Sequence, residues 1–452
     1  MSIKDTGYLD FFGERCVYVQ DGMDYILVPV NEGANISRNM FQKDYKLEFT
    51  TPLTKRSIVS VKEVHSTLTD SIRLNLSYIA ECYSDADIDT IIMTGNEIDE
   101  FFSPLEHYFR LKNSGQYIPS DLLYNHETVA NFKFTYKQKE INIELFYGNV
   151  LMEGICTDLT IHPQLKVSFE KTKDTDYIKE LHDIILKFLQ FVHRKQKFNM
   201  NLIELWTHSN SKKSHVGYMF CSLYNRELRP SSRIDASFVY YNDKIGSLLD
   251  IIATDYDHFP IKHLSKNYND PFSFSTERFA ALCSAFEYEY SRNKEYPQKS
   301  ELDLTEIKNT VVDCIEEIAE TDDNVVSFKK EAIKRIREIG GRPGFKQRII
   351  SAYNYNEASL NSSMDQLLFR IKDVESCAGL LSSLRGKVLH NNIGYQFNDK
   401  EMECIRFLEI IQFIMTLRRA SFTQGEIEII IGVLYHCNSK YLELLRKDNN
   451  KN

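Results

Sequence analysis

Apolar residues recur at every second position in several windows of roughly the first 240 residues. Ile72, Leu74, Leu76 and Tyr78 alternate with polar neighbours, as do Phe132, Phe134 and Tyr136, and then Ile141, Ile143 and Leu145. Alternation puts the apolar side chains of an extended segment on one side, so each window predicts a half-buried strand. Further strands are expected at Cys16–Gln20, Tyr25–Val30, Arg56–Val61, Ile88–Met93, Thr157–Ile161, Leu165–Phe169, Leu202–Trp206 and Val216–Leu223. So many short strands predict a β-sandwich or a pair of β-lobes. One helix interrupts them, with Ile178, Leu181, Ile185, Phe188 and Val192 at helical spacing and Asp174 and Asp176 at its positive end. His182 and His193 fall on or beside the polar side of that helix and are read as surface histidines.

The period changes between Asn242 and Asp270. A short helix is expected near Ile245–Ile252, and the neighbouring Asp255, Asp257 and His258 are read as a turn, because no further metal-capable cluster lies nearby. Asn269-Asp270-Pro271 marks a boundary. Beyond it the spacing is helical: Phe279, Leu282, Phe286 and Tyr290 make one stripe, and helices are expected over 275–292, 302–320, 325–339, 343–353, 363–391, 399–419 and 425–446. Asn398 with Glu401, and Thr423 with Glu426, have the spacing of capping boxes. Met402 to Leu417 is apolar on most sides, which puts that helix at the centre of the bundle or in a subunit interface. The expected fold class is α+β and multidomain: a β-rich domain over 1–241, sandwich-like or two-lobed, a linker with a short helix over 242–270, and an all-α bundle over 271–452.

Composition narrows the function classes. A chain of 452 residues, 42% hydrophobic and 26% charged, has the balance of a folded globular protein. The N-terminus has no basic-then-apolar leader, and no apolar stretch approaches the roughly 20 residues of a membrane span, so a cytoplasmic protein with no membrane partner is expected. The nine cysteines stand singly with no C-x-x-C pair, which argues against a disulfide framework and a zinc site, and no metal or other cofactor is expected. A net charge of −9 speaks against nucleic-acid binding by the chain as a whole. Lys329, Lys330, Lys334, Arg335, Arg337, Arg342, Lys346 and Arg348 nevertheless crowd into about 20 residues, as a solvated helix face or an RNA-facing patch.

Near the end of one expected helix the chain reads Leu384-Arg385-Gly386-Lys387-Val388-Leu389-His390-Asn391-Asn392. Metal-free RNA cleavage needs the 2′-hydroxyl activated, the phosphate charge neutralised and the leaving 5′-oxygen protonated. A histidine near its ordinary pKa moves protons, and an arginine grips phosphate through paired, charge-assisted hydrogen bonds. Five helical steps set Arg385 and His390 about 140° apart, so they do not share a face. Either the helix is distorted at Gly386, or two copies of the chain complete one site. An exposed arginine and a histidine favoured by the helix dipole would satisfy the same spacing.

The strand-rich first half, the segment Thr276-Glu277-Arg278-Phe279-Ala280-Ala281-Leu282-Cys283-Ser284-Ala285-Phe286-Glu287 opening the helical part, and Arg385 to His390 near its end together resemble the ApeA-like anti-phage proteins. In that family the helical part is a HEPN domain, and the motif's Arg and His are its RNase residues. The resemblance implies a metal-independent endoribonuclease of abortive infection that leaves a 2′,3′-cyclic phosphate and a 5′-hydroxyl. RNA, host translation RNA included, would be the substrate. The HEPN domain would form a homodimer or higher homo-oligomer, and the β-rich domain would sense a phage-derived trigger or restrain activity. Many HEPN domains carry Asn or Asp directly after the motif Arg, where this chain has Gly386, so a polar helper is expected from Glu287 or Asn391. Lys334, Arg335, Arg342 and Lys387 are the candidate RNA contacts. The alternative is a non-catalytic dimerisation module joined to a β-rich ligand- or protein-binding domain.

Overall fold

The expected strands, joined by two that the sequence pattern does not predict, Lys4–Phe11 and Tyr45–Phe49, form one antiparallel sheet of 12 strands. A computed structural model describes residues 4–11, 13–21, 23–31, 45–50, 56–66, 71–102, 128–149, 161–196, 202–209, 212–221, 240–266, 274–297, 305–338, 343–367, 373–390 and 395–434. Its strands are β1 (Lys4–Phe11), β2 (Glu14–Asp21), β3 (Asp24–Pro29), β4 (Tyr45–Phe49), β5 (Arg56–Ser66), β6 (Ile72–Cys82), β7 (Ile88–Met93), β8 (Thr128–Tyr136), β9 (Lys139–Asn149), β10 (Ile161–Thr172), β11 (Leu202–Ser209) and β12 (Lys212–Phe220). Of the strand expected over Thr157–Ile161, only Ile161 falls among the described residues, where it opens β10. The layout is α+β, and the chain divides into two compact units, residues 1–259 and residues 260–451. That division falls inside the stretch 242–270.

In the first unit the sheet forks at β6. One edge of β6 pairs with β5 along its whole length, from Arg56 opposite Cys82 to Ser66 opposite Ile72. The other edge is shared, β3 taking Ile72 to Asn75 and β12 taking Ile79 to Cys82. From β3 the sheet runs on to β2 and β1, and from β12 through β11, β7, β10 and β9 to β8. On the first branch Leu9, Phe11, Tyr18, Tyr25, Leu27, Val59 and Leu74 form a buried core, with Tyr18 and Tyr25 stacked at 5.3 Å. β12 joins β6 at a glycine: a Cβ on Gly217 would lie 1.9 Å from the backbone oxygen of Glu81.

Helices α1 (Asn96–Phe101), α2 (Thr175–His193) and α3 (Ile245–Thr254) belong to the same unit. The Asp174 side chain caps α2 by accepting the Asp176 N–H at 3.0 Å. Ile178, Leu181, Ile185, Phe188 and Val192 are buried as their spacing predicts, but His182 and His193 are buried too, at 1% and 5% exposure. The surface reading of both histidines is corrected by packing: α1 and α3 lie against α2, and the Phe101 ring meets His193 edge-on at 5.9 Å. Helix α3 closes on the edge strand β8, whose Thr135 N–H donates to Asp250 Oδ1 at 2.7 Å. The turn after α3 is as expected, closed by the His258 N–H donating to the Asp255 carbonyl at 2.8 Å.

Asp183 on α2 ties this helix to that turn through Tyr256, whose hydroxyl donates to Oδ2 at 3.2 Å. Burial alone would raise the Asp183 carboxyl, but His182 and Lys179 outweigh it and hold the group down at about 2. A depressed carboxyl contributes stability above its unfolded value of about 4 and loses it as pH falls toward 2. Asp183→Asn is therefore expected to cost roughly 2 kcal/mol in urea unfolding at neutral pH, a deficit that shrinks as pH drops from about 4 to 2. An unchanged unfolding midpoint at pH 7 would contradict this.

The second unit is helical: α4 (Thr276–Arg292), α5 (Thr305–Glu316), α6 (Asp323–Glu338), α7 (Phe345–Leu367), α8 (Val374–His390), α9 (Asp399–Arg419) and α10 (Gln424–Leu434). Both expected capping boxes form, Asn398 with Glu401 and Thr423 with Glu426. The apolar α9 is central: Ile405, Phe407, Ile411, Phe413, Ile414 and Leu417 are fully buried against α4, α7 and α8 of the same chain. Its apolar character is thus used within one chain. Helix α7 continues well past the expected end at 353, because the polar Asn356 is satisfied inside, donating to Tyr296 Oη and the Ala352 carbonyl, both at 2.8 Å. Among the described residues no helix is long and apolar enough to cross a membrane.

Candidate active site

Helix α4 presents Glu287 beside its buried stripe of Phe279, Leu282, Phe286 and Tyr290, and its start is set by the Ser275 side chain accepting the Arg278 N–H at 3.2 Å. Two guanidinium groups converge on Glu287. Arg385 of α8 donates from Nη2 to Oε2 at 2.8 Å, and Arg348 of α7 donates from Nη1 to Oε1 at 3.1 Å. One carboxylate between two arginines leaves a surplus positive charge, in surroundings that hold less water than the open surface. Arg385 also lies over the Phe345 ring, 4.8 Å from its centroid.

These contacts fix Arg385 without using it up. Among the described residues neither its buried Nε nor its Nη1 has a hydrogen-bond partner, and the side chain is 32% exposed. Such a fork, anchored on one side and open on the other, suits a phosphate oxygen. Cys283 sits one turn before Glu287 on α4. Burial pushes its thiol up to about 12, against the opposing pull of Arg385, so it stays protonated at neutral pH and is no nucleophile.

Helix α8 runs unbroken from Val374 to His390, and Gly386 has an ordinary helical conformation on an open face. Distortion at Gly386 therefore does not bring Arg385 and His390 onto one side. His390 is the last residue of α8; its side chain, with Asn391 and Arg342, lies outside the described residues.

The structure joins Glu287 to Arg385 and sets the other expected contacts apart from them. Lys387 is exposed on α8. Lys334 and Arg335 are exposed on α6, where Arg335 pairs with Glu331 at 3.0 Å, and no contact among the described residues links them to Arg385. The basic run is split among different tasks: Lys329 is buried and donates to the Glu316 and Ile318 carbonyls at the end of α5, at 2.9 and 2.8 Å. Arg418 and Arg419 turn inward, to Ser359 Oγ and Glu289 Oε1, each at 2.8 Å. Two participants escaped the sequence reading, Arg348 as the second partner of Glu287 and Phe345 beneath Arg385. Their only signal was membership of the basic run and the start of the next helix.

Compared with protein-family models, with curated proteins and with solved structures, the chain finds no match.

Proposed function

We propose that the chain is a metal-independent endoribonuclease of the HEPN type, in which Arg385 binds the phosphate and His390 moves protons between the 2′-hydroxyl and the leaving 5′-oxygen. The observation that supports it most is the anchoring of Arg385 by Glu287 and Phe345 with Nη1 left over, which an arginine kept only for helix solubility does not need. Glu287 acts as the positioning residue. A regular α8 spaces the two positions about 140° apart around the helix, which favours a composite site, Arg385 of one copy facing His390 of another. In this reading the protein is a cytoplasmic defence effector, and the β-rich unit receives a phage-derived trigger.

The test is incubation of the purified full chain with total RNA at neutral pH in excess chelator, alongside His390→Ala. The expected products carry 2′,3′-cyclic phosphate and 5′-hydroxyl ends, with the variant slowed by about 10²-fold or more. Cleavage that persists in the variant sinks the site assignment. A wild-type chain that leaves RNA intact favours a non-catalytic dimerisation module.

A further inference from the structure

The fork of the first unit assembles a second site far from Arg385 in sequence. Trp206, the single tryptophan of the chain, lies on β11 opposite His215 of β12. Leu205 pairs with Gly217 but Trp206 pairs with His215, so β12 carries one extra residue, Val216. That bulge puts His215 and Tyr218, three positions apart, on the same side of the sheet while Val216 and Met219 are buried. The rings form a connected group: Trp206 to His215 is 4.9 Å, His215 to Tyr218 is 4.6 Å, and Tyr83, just after β6, stands edge-on to Tyr218 at 6.1 Å. Trp206, His215 and Tyr218 are partly exposed and Tyr83 is 41% exposed.

The charges around this group are sorted. Lys213 lies 4.1 Å over the Trp206 ring, and Lys212 is exposed beside it. Neither lysine is in ion-pair range of a carboxylate among the described residues. Of the nearby acids, Glu204 accepts the Trp206 indole N–H at 3.0 Å and also acts on Lys213, Glu81 of β6 lies opposite Tyr218, Glu144 pairs with Lys166 at 2.8 Å, and Asp89 takes the His208 Nδ1 at 2.8 Å and its backbone N–H at 2.9 Å. Partly exposed rings beside two lysines that form no ion pair among the described residues fit a polymer with flat apolar faces and regularly spaced negative charge.

We propose that this face binds single-stranded nucleic acid, bases stacking on Trp206, Tyr218 and Tyr83 and phosphates meeting Lys212 and Lys213. A duplex hides its base faces and is excluded by the same chemistry. The proposal goes beyond the cleavage reading and holds whether or not the helical unit cuts RNA.

The single tryptophan makes the site its own reporter. The probe is a 12-nucleotide oligodeoxythymidylate, which has no 2′-hydroxyl and so survives the proposed ribonuclease. Titrated into the full chain, it is expected to quench tryptophan emission saturably at low salt, with affinity falling roughly sevenfold between about 50 and 200 mM salt for two phosphate contacts. Tyr218→Ala and Tyr83→Ala, with free-protein emission unchanged as a folding check, are each expected to weaken binding about tenfold. Lys213→Ala should flatten the salt dependence. By anisotropy of a labelled strand, Trp206→Phe keeps binding within about threefold and Trp206→Ala loses about tenfold. The proposal is overturned by no quenching up to about 100 µM strand at low salt. Equal quenching by a blunt duplex or a neutral oligosaccharide, or unchanged affinity in Tyr218→Ala and Lys213→Ala, overturns it as well.

Discussion

Mixing Arg385→Ala chains with His390→Ala chains, each nearly inactive alone, should restore about a quarter of the wild-type RNA cleavage rate. In a composite site each copy lends Arg385 to one centre and His390 to the other. A mixed dimer therefore keeps one intact centre of two, and random exchange makes about half of the dimers mixed. Each single variant alone should lose about 10²- to 10³-fold, the usual cost of removing a charge-stabilising donor or a proton carrier. The mixture is informative because α8 stays helical through Gly386, which leaves the two residues on different sides. Single variants that are inactive in a mixture that stays inactive would place both residues of each site on the same chain.

Gly217→Ala should be the most damaging alanine substitution among the described glycines of the first unit. Its new Cβ would meet the Glu81 oxygen at 1.9 Å and the Cys82 Cα at 2.9 Å. Both obstacles are backbone of β6, itself held on its far edge by β5, so neither can rotate away as a side chain would. A cost of about 3 kcal/mol is expected, lowering the thermal midpoint by roughly 6–12 °C. Because β12 also carries Lys213, His215 and Tyr218, the emission of Trp206 should shift in the same variant. An unchanged midpoint would mean that β12 does not meet β6 in this register.

The parts of this architecture that were legible in the sequence are those decided locally. Alternation located β6, β8 and β9 because one face of each is wet, and side-chain caps marked the starts of α9 and α10. β1 is not marked by alternation because, among its residues whose burial is described, Leu9 and Phe11 are the buried anchors while Tyr8 is 60% exposed. The burial of His182 and His193 is not legible in the helix pattern, which shows one apolar side, whereas α2 is covered on more than one. Within the candidate site, Arg385 and Glu287 could each be picked out, but nothing local announces that Arg348 and Arg385 share one carboxylate from two other helices. The Trp206 group was invisible for the same reason: Asp89 meets His208 across 119 positions, and the ring cluster depends on an extra residue in β12.

The divided edge of β6 also orders events during synthesis. Ile72 to Asn75 find β3 already made, while Ile79 to Cys82 wait for Gly217 to Phe220, about 135 residues later. At roughly 5 to 20 residues per second that wait lasts about 7 to 27 s, with four residues of a central strand open to any neighbouring chain. The nascent protein thus carries one aggregation hazard on β6, relieved only once the hairpin bearing Trp206 has been made.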